Sequence, residues 1–266
     1  MKAMILAAGL GTRLRPLTNH RPKALVEING RALLEITITR LKTFGVSEII
    51  INVHHHAEMV VDYLKTQNNF GLRIEISRED VLLDTGGGLK KAAWFFLEKA
   101  AQLDEPFLLH NVDVISTIDL EALLKFHQQN QALATLAVQD RETSRYLLFN
   151  DQLHLAGRRS GSRGTPELVP SSTGTPAGAP QTLPSLHASS TTAPLHALAF
   201  SGIHAISPRL LPMLLEDGIF SIIPVYLRLS AQNQKILAFR ADQYYWRDLG
   251  RPADLAQAVL DLQQAR

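Results

Sequence analysis

Two glycines followed by three cations near the start of the chain form the pattern best suited to chemistry. Residues 6–18 read LAAGLGTRLRPLT, and a Pro-Lys pair follows at 22–23. Glycines let a ligand approach the backbone closely and leave N–H groups free for phosphate oxygens. The cations are Arg13, Arg15 and Lys23, and an arginine fork fits phosphate geometry. The pattern predicts a phosphate-binding loop rather than a glycine turn with unrelated surface cations.

Two better-known glycine motifs are excluded. The chain has no G-x-x-x-x-G-K-[ST] motif, so the segment is not a P-loop. Residues 9–14 lack the third glycine of the dinucleotide fingerprint and carry Arg13 where a helix would have to pack closely. The loop therefore favours a nucleoside triphosphate over NAD.

Two aspartates far apart in the sequence are the candidate metal ligands. Asp113 follows the apolar run 107–109, and Asp248 follows the aromatic segment 244–246. A lone Asp after a strand is usually a turn or cap residue, so the hypothesis depends on the pair. Mg²⁺ takes oxygen ligands, usually one or two carboxylates together with substrate phosphates. The pair is therefore predicted to hold Mg²⁺ beside a triphosphate.

Alternating strands and helices must position these residues. The patterns predict strands at 3–7, 48–53 and 72–77, and helices at 33–44 and 57–66. This alternation predicts a parallel sheet with crossover helices, in which ligands bind beyond the carboxyl ends of the strands. The loop DTGGG at 84–88 also follows a strand; Thr85 could cap the next helix, but three glycines exceed what a cap requires. A flat base could lie against such a backbone.

These motifs together resemble those of the sugar-1-phosphate nucleotidyltransferases. The family's opening motif, L-A-x-G-x-G-[ST]-R-[LM]-x-P-L-T and then P-K, matches 6–18 and 22–23. In the family's order, the chain then has DTGGG (84–88), similar to the nucleobase loop, HNVD (110–113) and WRDLG (246–250), similar to the two metal-binding segments, and FSGI (200–203), similar to the sugar-site strand. The resemblance implies an α/β fold, a Rossmann-like three-layer α/β/α arrangement with a mixed, mostly parallel central sheet, in one domain spanning 1–266.

The resemblance also implies a role for each motif residue. Arg13, Lys23 and Asp113 are the expected catalytic residues, and Asp113 and Asp248 the expected Mg²⁺ ligands. The expected nucleotide-binding residues are Ala7, Ala8, Gly9, Gly11, Thr12, Arg13, Lys23, Thr85, Gly86 and Gly87. The expected sugar-phosphate-binding residues are Asn111, Gly157, Ser201 and Gly202. The family's acceptor pocket also uses an acidic residue, but the spacing does not support assigning Glu167 to that role.

Residues 156–197 depart from the family pattern. They hold most of the chain's Gly, Pro, Ser and Thr clusters and show no apolar periodicity, so they predict a loop, partly disordered, or an ordered lid. No hexapeptide repeat follows, so we expect no C-terminal β-helix domain.

The expected reaction is Mg²⁺-dependent transfer of a nucleotidyl group from a nucleoside triphosphate to a sugar 1-phosphate, with release of pyrophosphate. The motifs most resemble N-acetylmuramate-1-phosphate uridylyltransferases, which implies UTP. Guanylyltransferases acting on mannose 1-phosphate or on another hexose or heptose 1-phosphate are the alternative, as is a choline-phosphate cytidylyltransferase of the same fold. A non-catalytic, nucleotide-sugar-binding regulatory homologue is the alternative from another class; the presence of Lys23 and both acids argues against it.

Composition limits the partners. The formal net charge is +2 over 266 residues, which does not suggest a nucleic-acid partner. Cysteine is absent, so no disulfide or Cys-based metal site is expected. The first apolar run stops at Ala8, too early for a signal peptide, and no run approaches the ~20 residues that span a bilayer. We expect a cytoplasmic enzyme without a membrane partner; the oligomeric state stays open.

Overall fold

The chain builds a layered α/β structure in which strands and helices alternate. The computed structural model describes residues 1–98, 105–169 and 194–264. The strands are β1 (Lys2–Leu6), β2 (Glu27–Ile28), β3 (Arg31–Ala32), β4 (Glu48–Val53), β5 (Arg73–Arg78), β6 (Phe107–Asn111), β7 (Val114–Ser116), β8 (Ala134–Gln139), β9 (Arg145–Phe149), β10 (Leu155–Ser160), β11 (Pro166–Leu168), β12 (His196–Ile206), β13 (Ile236–Arg240) and β14 (Trp246–Asp248). The helices are α1 (Leu33–Thr43), α2 (Ala57–Thr66), α3 (Asp84–Lys91), α4 (Ala93–Leu97), α5 (Leu120–Gln129), α6 (Ile222–Ala231) and α7 (Pro252–Gln264).

The described strands form a ten-stranded mixed sheet with the order β11-β10-β9-β12-β6-β1-β4-β5, in which β8 pairs with β12 and β13 with β8. Two small ribbons, β14-β7 and β2-β3, accompany it. Strands β10 and β12 run opposite to the other described strands of the large sheet. The mixed α/β sheet implied by the family resemblance is therefore confirmed, and eight of its ten described strands run in one direction.

Each face of the sheet is covered by helices because side chains alternate along the strands. In β1, Ala3 and Ile5 pack into one apolar cluster with the buried leucines of α1, whereas Met4 faces a second cluster built with α3, α4 and α6. The result is the predicted three-layer α/β/α arrangement. Among the described helices, none is long and apolar enough to cross a membrane.

Strand β12 organises the half of the sheet that differs from a simple parallel array. Strand β8 lies along one side of β12. On the other side, β6 pairs with Ile203–Ile206 and β9 pairs with His196–Ala199. Strands β9, β10 and β11 therefore extend the sheet beyond the carboxyl end of β6, which is the edge where a ligand is expected.

The predicted loop at 156–197 is wrong for its first part. Residues 155–160 and 166–168 form β10 and β11, and β10 is paired on both sides. The hydrophobic periodicity did not reveal these strands because many of their side chains are polar. Backbone pairing among β9, β10 and β11 defines them, and not burial of an apolar face. The remainder of the predicted loop, 170–193, lies outside the described residues.

Candidate functional site

The glycine loop leaves β1 at the ligand edge and folds back on Lys23. Gly11 has φ +63°, and a methyl group there would lie 2.9 Å from Thr18 Cγ2 and 3.1 Å from Lys23 Cβ. Thr18 Oγ1 donates to the Gly11 carbonyl at 2.8 Å. The second glycine is thus required by both its backbone conformation and the lack of space. Gly9, in contrast, has no atom within 4 Å of that position, so it faces open space.

A buried polar pair fixes this loop to the neighbouring strand ends. Asn52 Oδ1 accepts from the Ala7 N–H at 2.8 Å, and Asn52 Nδ2 donates to Glu79 Oε1 at 2.8 Å. Glu79 Oε2 accepts from the Leu83 N–H at 2.9 Å. The sequence analysis missed both residues. The available signal was a polar side chain at the end of a buried strand, at the edge where ligands bind.

The two candidate metal ligands meet at the end of one β-ribbon. Strand β14 pairs with β7 so that Asp248 lies opposite Val114, and the Leu249 N–H donates to the Asp113 carbonyl at 2.8 Å. Burial raises the pKa of Asp248, and the charge of Asp113 raises it further, whereas Lys23 and Arg13 oppose the shift. The two carboxylates are therefore close enough to repel each other.

Two cations face these acids from the glycine loop. Lys23, which is 8% exposed, forms an ion pair with Asp113. A methyl group on Gly250 would lie 2.5 Å from Asp248 Oδ1 and 2.8 Å from Arg13 Nη2. Gly250 therefore lets the Arg13 guanidinium and the Asp248 carboxylate lie against the same stretch of backbone. The open cleft between these groups has a volume of about 400 Å³ and is lined by the glycine loop, Lys23, Asp113 and Gly250.

The donor set of this cleft fits Mg²⁺. Asp113 and Asp248 supply two mutually repelling carboxylates, which a divalent cation would neutralise. In the described ranges, no group of three or more His, Cys, Asp or Glu side chains is arranged to hold a metal ion. Mg²⁺ suits a two-carboxylate site because it takes its remaining ligands from substrate phosphates and water.

The predicted DTGGG loop is instead the start of a helix. Helix α3 begins at Asp84, and the N–H groups of Gly86 and Gly87 donate to the Phe220 carbonyl at 2.9 and 3.1 Å. A methyl group on Gly86 would lie 2.5 Å from the Phe220 ring. In this structure the chain itself therefore engages the two N–H groups that a base could otherwise use. Thr85 is also engaged: its Oγ1 accepts from the Ile222 N–H at 3.0 Å.

The structure brings three of the four predicted sugar-site residues together. Gly202 has φ +73°, and a methyl group there would lie 2.8 Å from Asn111 Nδ2. Ser201 is fully buried, and its hydroxyl has no hydrogen-bond partner in the described part of the chain. Gly157 does not join them, because β9 lies between its strand, β10, and β12. A methyl group added to Gly157 would lie 2.5 Å from the Glu167 carbonyl oxygen, so the space beside this glycine is already filled.

Arg141 is a site residue that the sequence analysis did not identify. Its guanidinium stacks 3.6 Å from the centroid of the Trp246 ring and donates to the Phe200 carbonyl at 2.8 Å. Burial lowers the pKa of Arg141, and the nearby Asp248 carboxylate opposes that shift. An isolated arginine two residues after a strand carries no sequence signal, since only the fold brings it to Trp246.

Comparison with known sequences places these motifs in context. The family model described as "Nucleotidyl transferase" matches residues 2–148. An N-acetylmuramate alpha-1-phosphate uridylyltransferase from Caulobacter vibrioides is 48% identical over 117 residues, covering 42% of this chain and 46% of the relative. A mannose-1-phosphate guanyltransferase from Gibberella zeae is 38% identical over 162 residues, covering 60% of this chain and 43% of the relative. The chain thus spans less than half the length of these curated relatives.

Solved structures share the fold over nearly the whole chain. HddC from Yersinia pseudotuberculosis, complexed with GMP-PN, matches with a TM-score of 0.70 at 20% identity, covering 98% of this chain and 99% of that one. A putative glucose-1-phosphate thymidylyltransferase from Bacillus anthracis matches with a TM-score of 0.73 at 17% identity, covering 98% and 94%. At these identities the likeness concerns the fold.

Proposed function

Because the chain belongs to the nucleotidyl transferase family, we propose that it transfers a nucleotidyl group from a nucleoside triphosphate to a sugar 1-phosphate. The observation that supports this proposal is that Arg13, Lys23 and Asp113 line one glycine-rich cleft, with the Asp248 carboxylate close to these groups. A cleft that combines free backbone, two cations and two carboxylates suits the meeting of two phosphorylated substrates.

The proposed step is an in-line displacement at the α-phosphorus. An oxygen of the sugar phosphate forms a bond to that phosphorus, the bond to the bridging oxygen breaks, and pyrophosphate leaves with the electron pair. The attacking oxygen is already ionised near neutral pH, so no general base is needed. Catalysis then depends on alignment and on neutralising charge.

Each residue of the cleft has its own role in the proposed reaction. Arg13, with the Gly11 and Thr12 backbone, would hold the leaving pyrophosphate, and Lys23 would stabilise the charge on the α-phosphate. Lys23 already lies beside Asp113, so it is held where that charge develops. Asp113 and Asp248 would hold Mg²⁺, which when bound supplies charge neutralisation for the phosphates.

We propose UTP and N-acetylmuramate 1-phosphate as the substrates. The 48% identity to the Caulobacter vibrioides uridylyltransferase supports this pair, as does the motif resemblance. GTP with mannose 1-phosphate is the second candidate, supported by the 38% identity to the Gibberella zeae enzyme. The cytoplasm is the proposed location, because nucleoside triphosphates are found there.

A pyrophosphate-release assay tests the proposal. The four nucleoside triphosphates are each combined with a panel of sugar 1-phosphates, with and without Mg²⁺. The proposal expects Mg²⁺-dependent turnover for one pair and a loss of at least ~10² in rate for Arg13→Ala and for Asp113→Ala. Lys65→Ala, an exposed helix residue that pairs only with Asp62 among the described residues, is the control and should keep wild-type turnover. Nucleotide binding without turnover for every pair would instead support a regulatory binding protein.

A further inference from the structure

The first of two pairs of cationic and aromatic side chains lies beside the two aspartates. Arg141 stacks on Trp246, two residues before Asp248. Tyr146 contributes to the electrostatic surroundings of Arg141, and the Arg159 guanidinium lies 5.2 Å from the Tyr146 ring centroid. We call these four residues, Trp246, Arg141, Tyr146 and Arg159, the acceptor row. It begins beside the proposed metal ligands and continues onto the β9–β11 extension.

Sheet register places the acceptor row at the edge of the cleft. Tyr146 lies opposite both Ala199 of β12 and Arg159 of β10, so all three side chains point to the same face. Ser201 follows Ala199 by two residues, and its carbonyl accepts from Trp246 Nε1 at 2.7 Å. The row therefore adjoins the strand that the sequence predicts to contact the sugar.

The cations of the acceptor row form no short ion pair within the described protein. Neither Arg141 nor Arg159 has a carboxylate within ion-pair distance in the described ranges; their hydrogen bonds go to the carbonyls of Phe200 and Gly161. The Nε of Arg141 is buried without a partner there. The adjacent Arg158 differs: it points to the opposite face and pairs with Glu167 at 2.7 Å. Two guanidiniums that form no ion pair within the described ranges, one of them close to the Asp248 carboxylate, suit an anion that the protein does not itself supply.

Resting on the proposed function, we propose that Arg141 and Arg159 select an acceptor sugar that carries a carboxylate in addition to its phosphate. The phosphate of the acceptor would bind at the end of the cleft beside Asp113 and Asp248. The cations further along the row would then bind a second negative group of the acceptor. The rings of Trp246 and Tyr146 provide flat apolar surfaces for the sugar between these charges. An acceptor without a carboxylate would leave both guanidiniums without an anionic partner.

Two acceptors that differ by a single group test this selection. N-acetylmuramate 1-phosphate and N-acetylglucosamine 1-phosphate differ only in the lactyl ether that bears the carboxylate. The wild-type protein should turn over the first with at least ~10-fold higher kcat/KM, since it gains a charge-assisted hydrogen bond. Arg159→Gln should lower kcat/KM for the carboxylate-bearing acceptor about 10- to 100-fold. For N-acetylglucosamine 1-phosphate, which lacks the carboxylate, kcat/KM should stay within about threefold of wild type.

Two further variants separate selection from folding. Arg158→Gln, on the same strand but on the other face, should leave both acceptors unchanged. Arg141→Lys keeps the charge but loses the planar fork that stacks on Trp246. It should therefore reduce the preference for the carboxylate-bearing acceptor without abolishing turnover of N-acetylglucosamine 1-phosphate. Equal kcat/KM for both acceptors in the wild type, or an equal loss for both in Arg159→Gln, overturns the inference.

A binding measurement judges the inference even if the proposed function fails. The chain has two tryptophans, so Trp94→Phe leaves Trp246 as the sole indole, within the acceptor row. Titrating each acceptor against its fluorescence gives two dissociation constants without any turnover. Tighter binding of the carboxylate-bearing acceptor, lost in Arg159→Gln, supports the inference. Equal binding of the two acceptors refutes it, whereas a complete lack of pyrophosphate release with every acceptor counts against the proposed function alone.

Discussion

Gly250→Ala offers the sharpest test of how the cleft is built. The added methyl group would lie 2.5 Å from Asp248 Oδ1, 2.8 Å from Arg13 Nη2 and 3.1 Å from Arg13 Cζ. Ordinary carbon–oxygen contact needs roughly 3.4 Å or more, so the methyl group separates the carboxylate from the backbone by close to 1 Å. The Asp248 side chain is short, so it has no distant rotatable bonds that could accommodate the displacement of its carboxylate.

The expected effect is large on activity and small on stability. A misplacement of about 1 Å in a catalytic group can cost roughly 10² in rate, so we expect kcat/KM to fall about 100-fold. Overpacking costs about 1–3 kcal/mol, and the reduced entropy of the unfolded chain returns about 0.4–1 kcal/mol. The free energy of unfolding should therefore fall by no more than about 2.6 kcal/mol.

Pyrophosphate release and urea unfolding, measured on the same preparations, check both numbers. Arg251→Ala is the matched control, because it alters an exposed side chain at the next position and should change neither quantity. A Gly250→Ala enzyme within threefold of wild-type kcat/KM would refute the reasoning. A loss of stability well above 3 kcal/mol would also count against it, since the defect would then lie in folding.

Three further outcomes are expected. Lys23→Met should lower kcat at least ~10²-fold in the pyrophosphate assay, because it removes the ammonium beside Asp113; normal turnover would show that the amine has no catalytic part. Gly86→Ala should lower the free energy of unfolding in urea by about 1–3 kcal/mol, because its methyl group collides with the Phe220 ring; an unchanged urea midpoint would contradict this. Burial lowers the pKa of His127 to about 4, below the ~6.5 of an unfolded histidine, so the unfolded chain binds more protons between these values. The contribution of neutral His127 to the free energy of unfolding is therefore fully present above pH 6.5 and is lost as the pH falls towards 4, by up to ~1.4 kcal/mol per pH unit. Urea titrations should show a smaller difference in the free energy of unfolding between pH 7 and pH 5 for His127→Gln than for the wild type. An equal difference would exclude His127 as the cause.

Sequence-based prediction succeeded where local pattern and chemistry agree. The apolar run 48–53 is β4 and the amphipathic run 57–66 is α2, with the predicted bounds. It failed where the same residues serve long-range packing. Gly86 and Gly87 suggested a flexible loop, but the glycines are needed because the Phe220 carbonyl and ring press against α3. Similarly, Arg158 and Arg159 gave β10 no apolar period, although its backbone pairs on both sides.

The sequence by itself determined the chemistry available to this protein. The glycine loop, its cations and the strand-end aspartates could be identified because each depends on residues adjacent in the chain. The tertiary structure alone decided which of these groups meet. Pairing of β14 with β7 brings Asp248 to Asp113, and pairing of β9 with β10 brings Arg159 to Tyr146. Such contacts join segments that are not adjacent in the chain, and no local spacing encodes them, since strand register and sheet order are set by packing of the whole core.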